Sequence, residues 1–158
     1  MKKFVVPPVL ALLLLFSCRR EEKMIFQTVG IDKLEACLRS NEYTIFCYFD
    51  STRCTTCSME WLTRWTHFND ELKSLNAGLV LIVRNSDEDA VYETMTFLRL
   101  FVPVVFDTSF AIKKANYALL RQSFCFTVNS KKEVVWIGLP IKDEKSWNEF
   151  CKTLRKSM

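Results

Sequence analysis

Two cysteines three residues apart, Cys54 and Cys57, have the type and spacing in this 158-residue chain that suit chemistry most directly. They come after a β-branched and aromatic run (YTIFCYF, 43–49) and a polar break at 50–53, and they open a stretch with helical periodicity. A cysteine at the start of a helix has its sulfur near free backbone N–H groups and the positive end of the dipole. Both favour thiolate and lower the pKa from its free value of about 8.5. A second cysteine one turn on can close a small disulfide ring. The spacing therefore predicts a dithiol in which Cys54 attacks a disulfide and Cys57 resolves the mixed disulfide. Such a pair is its own redox group, so no cofactor and no metal is expected. Arg53 adds a cation beside Cys54 that favours the thiolate further, and Thr55 and Thr56 fill the intervening positions that tune the potential. Glu60 lies three residues after Cys57 on the same helix face, where the plain reading is a solvated carboxylate in the first turns of a helix.

The surrounding elements must hold this pair at a strand-to-helix junction. Residues 43–49 carry no charge and predict a strand buried on both faces, and 79–83 (LVLIV) predict another. Residues 24–28 read as a short strand, 32–39 as an amphipathic helix, and 54 to about 75 as a long helix. A helix from Ser86 to about Leu100 starts on three acids, 103–106 are extended, and Thr108 or Ser109 caps a helix over 110–119. Strands at 123–128 and 133–138 form a hairpin, and residues 142–156 a last amphipathic helix. This order predicts an α/β domain with a mixed sheet and a terminal hairpin plus helix.

The N-terminus carries a different signal. Lys2 and Lys3 precede a nearly unbroken apolar run at 4–16, too short to span a bilayer, which needs roughly 20 residues. Leu15-Phe16-Ser17-Cys18 then resembles the lipobox of bacterial lipoproteins, whose cysteine becomes the acylated N-terminus. The resemblance implies a signal peptide over 1–17, lipidated Cys18 with a charged tether over 18–23, and a domain over 24–158. The mature chain is then expected outside the cytoplasm, anchored by lipid to a bacterial membrane and facing the periplasm, where disulfides persist.

The segment from Phe49 through Cys54-Thr55-Thr56-Cys57, with Glu60 and Val102-Pro103-Val104-Val105-Phe106-Asp107, resembles the thioredoxin fold. Within it, the likeness is to the TlpA/ResA branch of periplasmic thiol–disulfide oxidoreductases, over residues 24–156. The resemblance implies a three-layer α/β/α domain, Glu60 as the acid that handles the proton, exported cysteine-containing clients and a membrane thiol donor. Three positions depart from the family pattern. Arg53 stands where an aromatic residue is usual, and Tyr48 where thioredoxin has a buried acid. Ser123, after Gln122, stands where the family places a cis-proline facing the thiols; cis X–Ser costs about 3 kcal/mol, so a trans bond is expected.

Other residues read as structural. Cys37 and Cys151 fall on apolar helix faces and Cys47 and Cys125 inside strands, where free cysteine is usually core; sequence leaves their pairing open. His67, the one histidine, lies ten residues from Cys57, about 15 Å of helix, which is unsuited to a shared zinc site or to a cysteine-protease dyad. Trp61 and Trp65 are expected in the core and Trp136 in hairpin packing. A formal charge of +4, or +2 without Lys2 and Lys3, gives no basis for nucleic-acid binding, and three glycines exclude a glycine-rich phosphate loop. Three readings stay open: a client-directed oxidoreductase, a redox-inactive binding module with a structural Cys54–Cys57 disulfide, and metal capture by the thiols.

Overall fold

A charge-free run such as YTIFCYF has no polar side to turn to water, and all seven residues of β1 (Tyr43–Phe49) are buried. The computed structural model describes residues 23–50, 60–84 and 87–157. In it β1 is the central strand of a five-stranded sheet ordered β3-β2-β1-β4-β5. β2 (Ala77–Val83) runs parallel to β1, and β3 (Val104–Phe106) parallel to β2. β4 (Cys125–Asn129) is antiparallel to β1 and continues into β5 (Val134–Ile137) as the expected hairpin.

Helices cover both faces, giving the three-layer α/β/α architecture. On one face lie a 3-10 segment (Glu60–Phe68), α2 (Asn69–Ser74), α3 (Glu88–Phe97) and α6 (Glu144–Ser157), whose Leu62, Trp65, Leu72, Met95 and Phe150 share a core with alternate β1 residues Tyr43, Ile45, Cys47 and Phe49. On the other lie α1 (Asp32–Ser40), α4 (Ala111–Ala115) and α5 (Tyr117–Leu120), packed with Phe46 and Tyr48 of β1. Trp65 is buried, and Trp136 meets the Phe150 ring edge-on at 5.6 Å, as expected of hairpin packing. Among the described residues no helix is long and apolar enough to cross a membrane.

Four expectations are corrected. The stretch before Leu75 is not one α-helix: residues 60–68 wind as 3-10 and only 69–74 as α. Leu62, Trp65 and Phe68 recur every three residues, so the tighter three-residue turn puts them in one line against the sheet. The Thr66 hydroxyl bonds the Thr63 carbonyl at 2.6 Å, another i−3 contact. Residues 24–28 make no named strand, only a single antiparallel bridge between Ile25 and Glu133.

The expected helix at 110–119 is broken in two at buried Asn116, whose amide serves a tertiary contact instead. Its Oδ1 accepts from the Gln27 N–H at 2.8 Å, and its Nδ2 donates to the Gln27 carbonyl at 2.8 Å. The amide thus copies a strand partner for the N-terminal segment. Asn116→Ala leaves both Gln27 groups unserved and is expected to lower unfolding free energy by about 2 kcal/mol, measured by urea denaturation. Neither Thr108 nor Ser109 caps α4. Asp107 does so, accepting from the N–H groups of Ile112 at 3.1 Å and Lys113 at 2.9 Å.

Candidate functional site

Parallel strands in register end together, so the residues after their last positions share one edge of the sheet. Phe49, Val83 and Phe106 are aligned as the last residues of β1, β2 and β3. The next residues are Asp50, Arg84 and Asp107, so three charged side chains stand side by side at the carboxyl edge. The Arg84 N–H donates to the Phe49 carbonyl at 2.8 Å and the Asp107 N–H to that of Val83 at 3.0 Å, which holds the alignment. Ligand sites in open α/β sheets lie beyond this edge.

Cys54, Cys57, Arg53, Thr55 and Thr56 lie outside the described residues, as does Cys18. Their flanks are described. Asp50 leaves β1 at the carboxyl edge, and the backbone returns at Glu60, the first residue of the 3-10 segment that leads through α2 back to the start of β2. On the other side of β1, the Tyr48 N–H donates to the Phe124 carbonyl at 2.7 Å. That bond sets Gln122, Ser123 and Phe124 against the end of β1, so Tyr48 and the Gln122–Ser123 segment, far apart in sequence, meet at one edge. Every peptide bond among the described residues is trans, Gln122–Ser123 included. The Ser123 hydroxyl accepts from the Cys125 N–H at 3.1 Å, a local turn that starts β4.

Tyr48, expected from the sequence to stand in place of a buried acid, donates its hydroxyl to Asp107 Oδ2 at 2.9 Å, and both residues are buried. Burial, then the Asp107 carboxylate, push the phenol well above its ordinary range, so it stays protonated. A carboxylate is therefore present near this position, but it is supplied by Asp107 after β3, and it is fully engaged by three donors. In the sequence Asp107 stands out only within the Pro-Val-Val-Phe-Asp element. The pattern of an ionisable residue directly after each parallel strand is the signal that finds it together with Asp50 and Arg84.

Asp50 accepts from Arg84 Nη1 at 2.5 Å and also pairs with Lys113 of α4. The Arg84 guanidinium lies 3.8 Å above the centre of the Phe110 ring, which keeps the cation at the edge. The bond from Lys113, with that from Arg84, holds the Asp50 carboxyl below its ordinary value of 3.8 despite partial burial. A lowered folded-state pKa means the ion pairs contribute in full above the ordinary value and are lost as pH falls through the lowered one. The urea midpoint is expected to drop on acidification from about pH 5 to 3, and Asp50→Asn to reduce that drop relative to wild type.

The remaining expectations fall elsewhere. His67 is exposed on the 3-10 segment. Free cysteines among the described residues are Cys37, Cys47, Cys125 and Cys151, the last three buried. A cavity of about 420 Å³ lies at the opposite edge, where Asn41, Ala77, Gly78 and Pro103 line it, remote from the Tyr48 end of β1.

No protein-family model and no curated protein sequence matches the chain. Solved structures do. The peroxidoxin BcpB of Mycobacterium tuberculosis superposes with a TM-score of 0.57 at 13% identity, over 79% of this chain and 85% of that one. A thiol:disulfide interchange protein from a Bacteroides species has a TM-score of 0.57 at 13% identity, over 77% and 78%. The thioredoxin domain of a thiol-disulfide oxidoreductase from Bacteroides vulgatus gives 0.50 at 12% identity, over 73% and 81%. The sheet order, the helix layers and these neighbours agree: the chain has a thioredoxin-like α/β/α fold.

Proposed function

We propose that the chain is a thiol–disulfide oxidoreductase that acts on exported cysteine-containing proteins through Cys54 and Cys57, tethered to a membrane by lipid on Cys18. One observation carries the reading. On a thioredoxin-like sheet the chain leaves β1 beside Phe124 and is next described at Glu60, where a helical return begins, and in sequence Cys54-Thr55-Thr56-Cys57 falls between those two points. In this mechanism the Cys54 thiolate attacks a client disulfide, forming a mixed disulfide and releasing one client thiolate. Cys57 then attacks Cys54 Sγ, releasing the second client thiol and leaving Cys54–Cys57 oxidised. A membrane thiol donor returns two electrons and two protons. Arg53 favours the Cys54 thiolate, and Glu60 moves the Cys57 proton. Phe124, 43% exposed beside the Gln122–Ser123 peptide, offers apolar surface to an extended client segment. The signal over 1–17, the tether over 18–23 and the periplasmic setting belong to the same proposal.

The test is a trap. Cys57→Ser in cells is expected to accumulate mixed disulfides joined through Cys54, read on non-reducing gels and by mass spectrometry of the linked peptides. If no client accumulates and Cys54 resists alkylation in the reduced native protein, the reading fails.

A redox-inactive binding module is the second reading, and Tyr48 is the observation that favours it. Its phenol is held protonated, so this position has no group that ionises for proton transfer. A Cys54–Cys57 potential below about −300 mV, in the range of structural disulfides, would decide for this module.

A further inference from the structure

Cys47 of β1 and Cys125 of β4 are directly opposite in the antiparallel ladder. Two hydrogen bonds identify the kind of pair they make. The Tyr48 N–H donates to Phe124, so the neighbouring 48/124 pair is the hydrogen-bonded one. The Cys125 carbonyl accepts from the Gly138 N–H at 2.9 Å, so its backbone groups face β5 and not β1. Cys47 and Cys125 are therefore a non-hydrogen-bonded pair, the kind whose Cα atoms approach to about 4.5 Å, inside the range that disulfides span. Their sulfurs already lie 3.5 Å apart on the same sheet face, and both residues are 0% exposed. Cys37 projects from α1 into the layer on the other face, and Cys151 belongs to α6. Of the pairings that sequence leaves open, the geometry selects one.

We infer that Cys47 and Cys125 form a second redox pair, which closes to a cross-strand disulfide when the chain folds in the presence of a low-molecular-weight disulfide. One cysteine, as thiolate, attacks the small disulfide, giving a mixed disulfide and one small thiol. The other attacks the protein sulfur of that mixed disulfide and expels the second small thiol. Two protein thiols become one S–S bond, the small disulfide takes both electrons, and the two protons end on the two small thiols. Burial and the neighbouring thiol raise the Cys47 pKa, which keeps the finished core inert and confines the exchange to chains whose β1–β4 edge is still open. Once closed, the bond ties the central strand to the first residue of β4. It thereby anchors the segment 122–124 that flanks the carboxyl edge.

Trypsin makes the test direct in the unaltered chain. It cuts after Arg39, Arg53, Arg64, Arg121 and Lys131, so Cys47 falls alone on 40–53 and Cys125 alone on 122–131. Cys54 and Cys57 fall together on 54–64. Protein refolded from denaturant in oxidised and reduced glutathione, and in parallel in reductant alone, is alkylated, digested and mapped by mass spectrometry. The glutathione sample is expected to yield 40–53 joined to 122–131, with near-complete loss of the free peptides, and the reductant sample only the two alkylated peptides, unjoined. Treating the glutathione digest with reductant must restore both. The inference is overturned if the folded glutathione sample returns both peptides as alkylated thiols, or either one joined to a different cysteine peptide. Circular dichroism of each sample establishes that folded protein was mapped.

Discussion

Replacing Asp107 by alanine is expected to lower the unfolding free energy by about 3 kcal/mol, since one buried carboxylate serves three donors. Oδ2 accepts the Tyr48 hydroxyl at 2.9 Å and the Lys113 N–H at 2.9 Å, and Oδ1 accepts the Ile112 N–H at 3.1 Å. Asp107→Ala leaves the buried phenol without its acceptor and the first turn of α4 without its cap. Tyr48→Phe removes one of the three bonds and leaves the carboxylate two backbone donors, so about 1 kcal/mol is expected. Urea unfolding of both single variants and the double variant measures the coupling. The double variant should be less destabilised than the sum, because the Tyr48–Asp107 bond can be lost only once. Strict additivity would mean that Asp107 acts only through its helix cap.

The other large effect lies in the same layer, on the face of the sheet that carries Tyr48. Phe126 of β4 is opposite Phe46 of β1, and both rings meet Phe26 from the N-terminal segment. The centroids are 4.7 Å apart for Phe26–Phe46, 5.3 Å for Phe26–Phe126 and 5.6 Å for Phe46–Phe126, and all three residues are buried to 1% exposure or less. Three elements distant in sequence thus share one aromatic cluster, in which no single ring can be replaced by collapse of the others. Phe126→Ala is expected to cost about 3–5 kcal/mol, and Phe126→Leu, which keeps most of the volume, about 1 kcal/mol. Tryptophan fluorescence against urea measures both. Equal losses for Ala and Leu would point to aromatic geometry, not cavity volume, as the source of stability. The same cluster is what seats residues 24–28, since their backbone makes only one bridge to the sheet.

Much of this architecture is legible in residue pattern. YTIFCYF and LVLIV have no polar face, so they can be satisfied only by a sheet covered on both sides, and the structure gives them that. Helix α6 shows its apolar face in Phe150, Cys151 and Leu154 at helical spacing, and those residues are buried. The failures have a common cause. Asn116 reads as an ordinary helical residue until a backbone from residue 27 requires its amide. The 60–68 segment reads as α because 3.6 and 3.0 periods differ little over nine residues, and the fit to the sheet decides between them. Residues 24–28 have strand-like composition, but beyond the one bridge at Ile25 their partners are a side-chain amide and an aromatic cluster.

At the site the division is the same. The identity and spacing of Cys54 and Cys57, the strand before them and the helical periodicity after them are local properties, determined by the sequence alone through burial and backbone geometry. The partners of that junction are not local. Tyr48 meets Asp107 across 59 residues of chain, and Cys47 meets Cys125 across 78. Asp50, Arg84 and Asp107 become neighbours only because three parallel strands end in register. Strand register depends on how whole faces pack, and a slip of one residue would turn each of these side chains to the opposite layer. Only the tertiary structure could pair them.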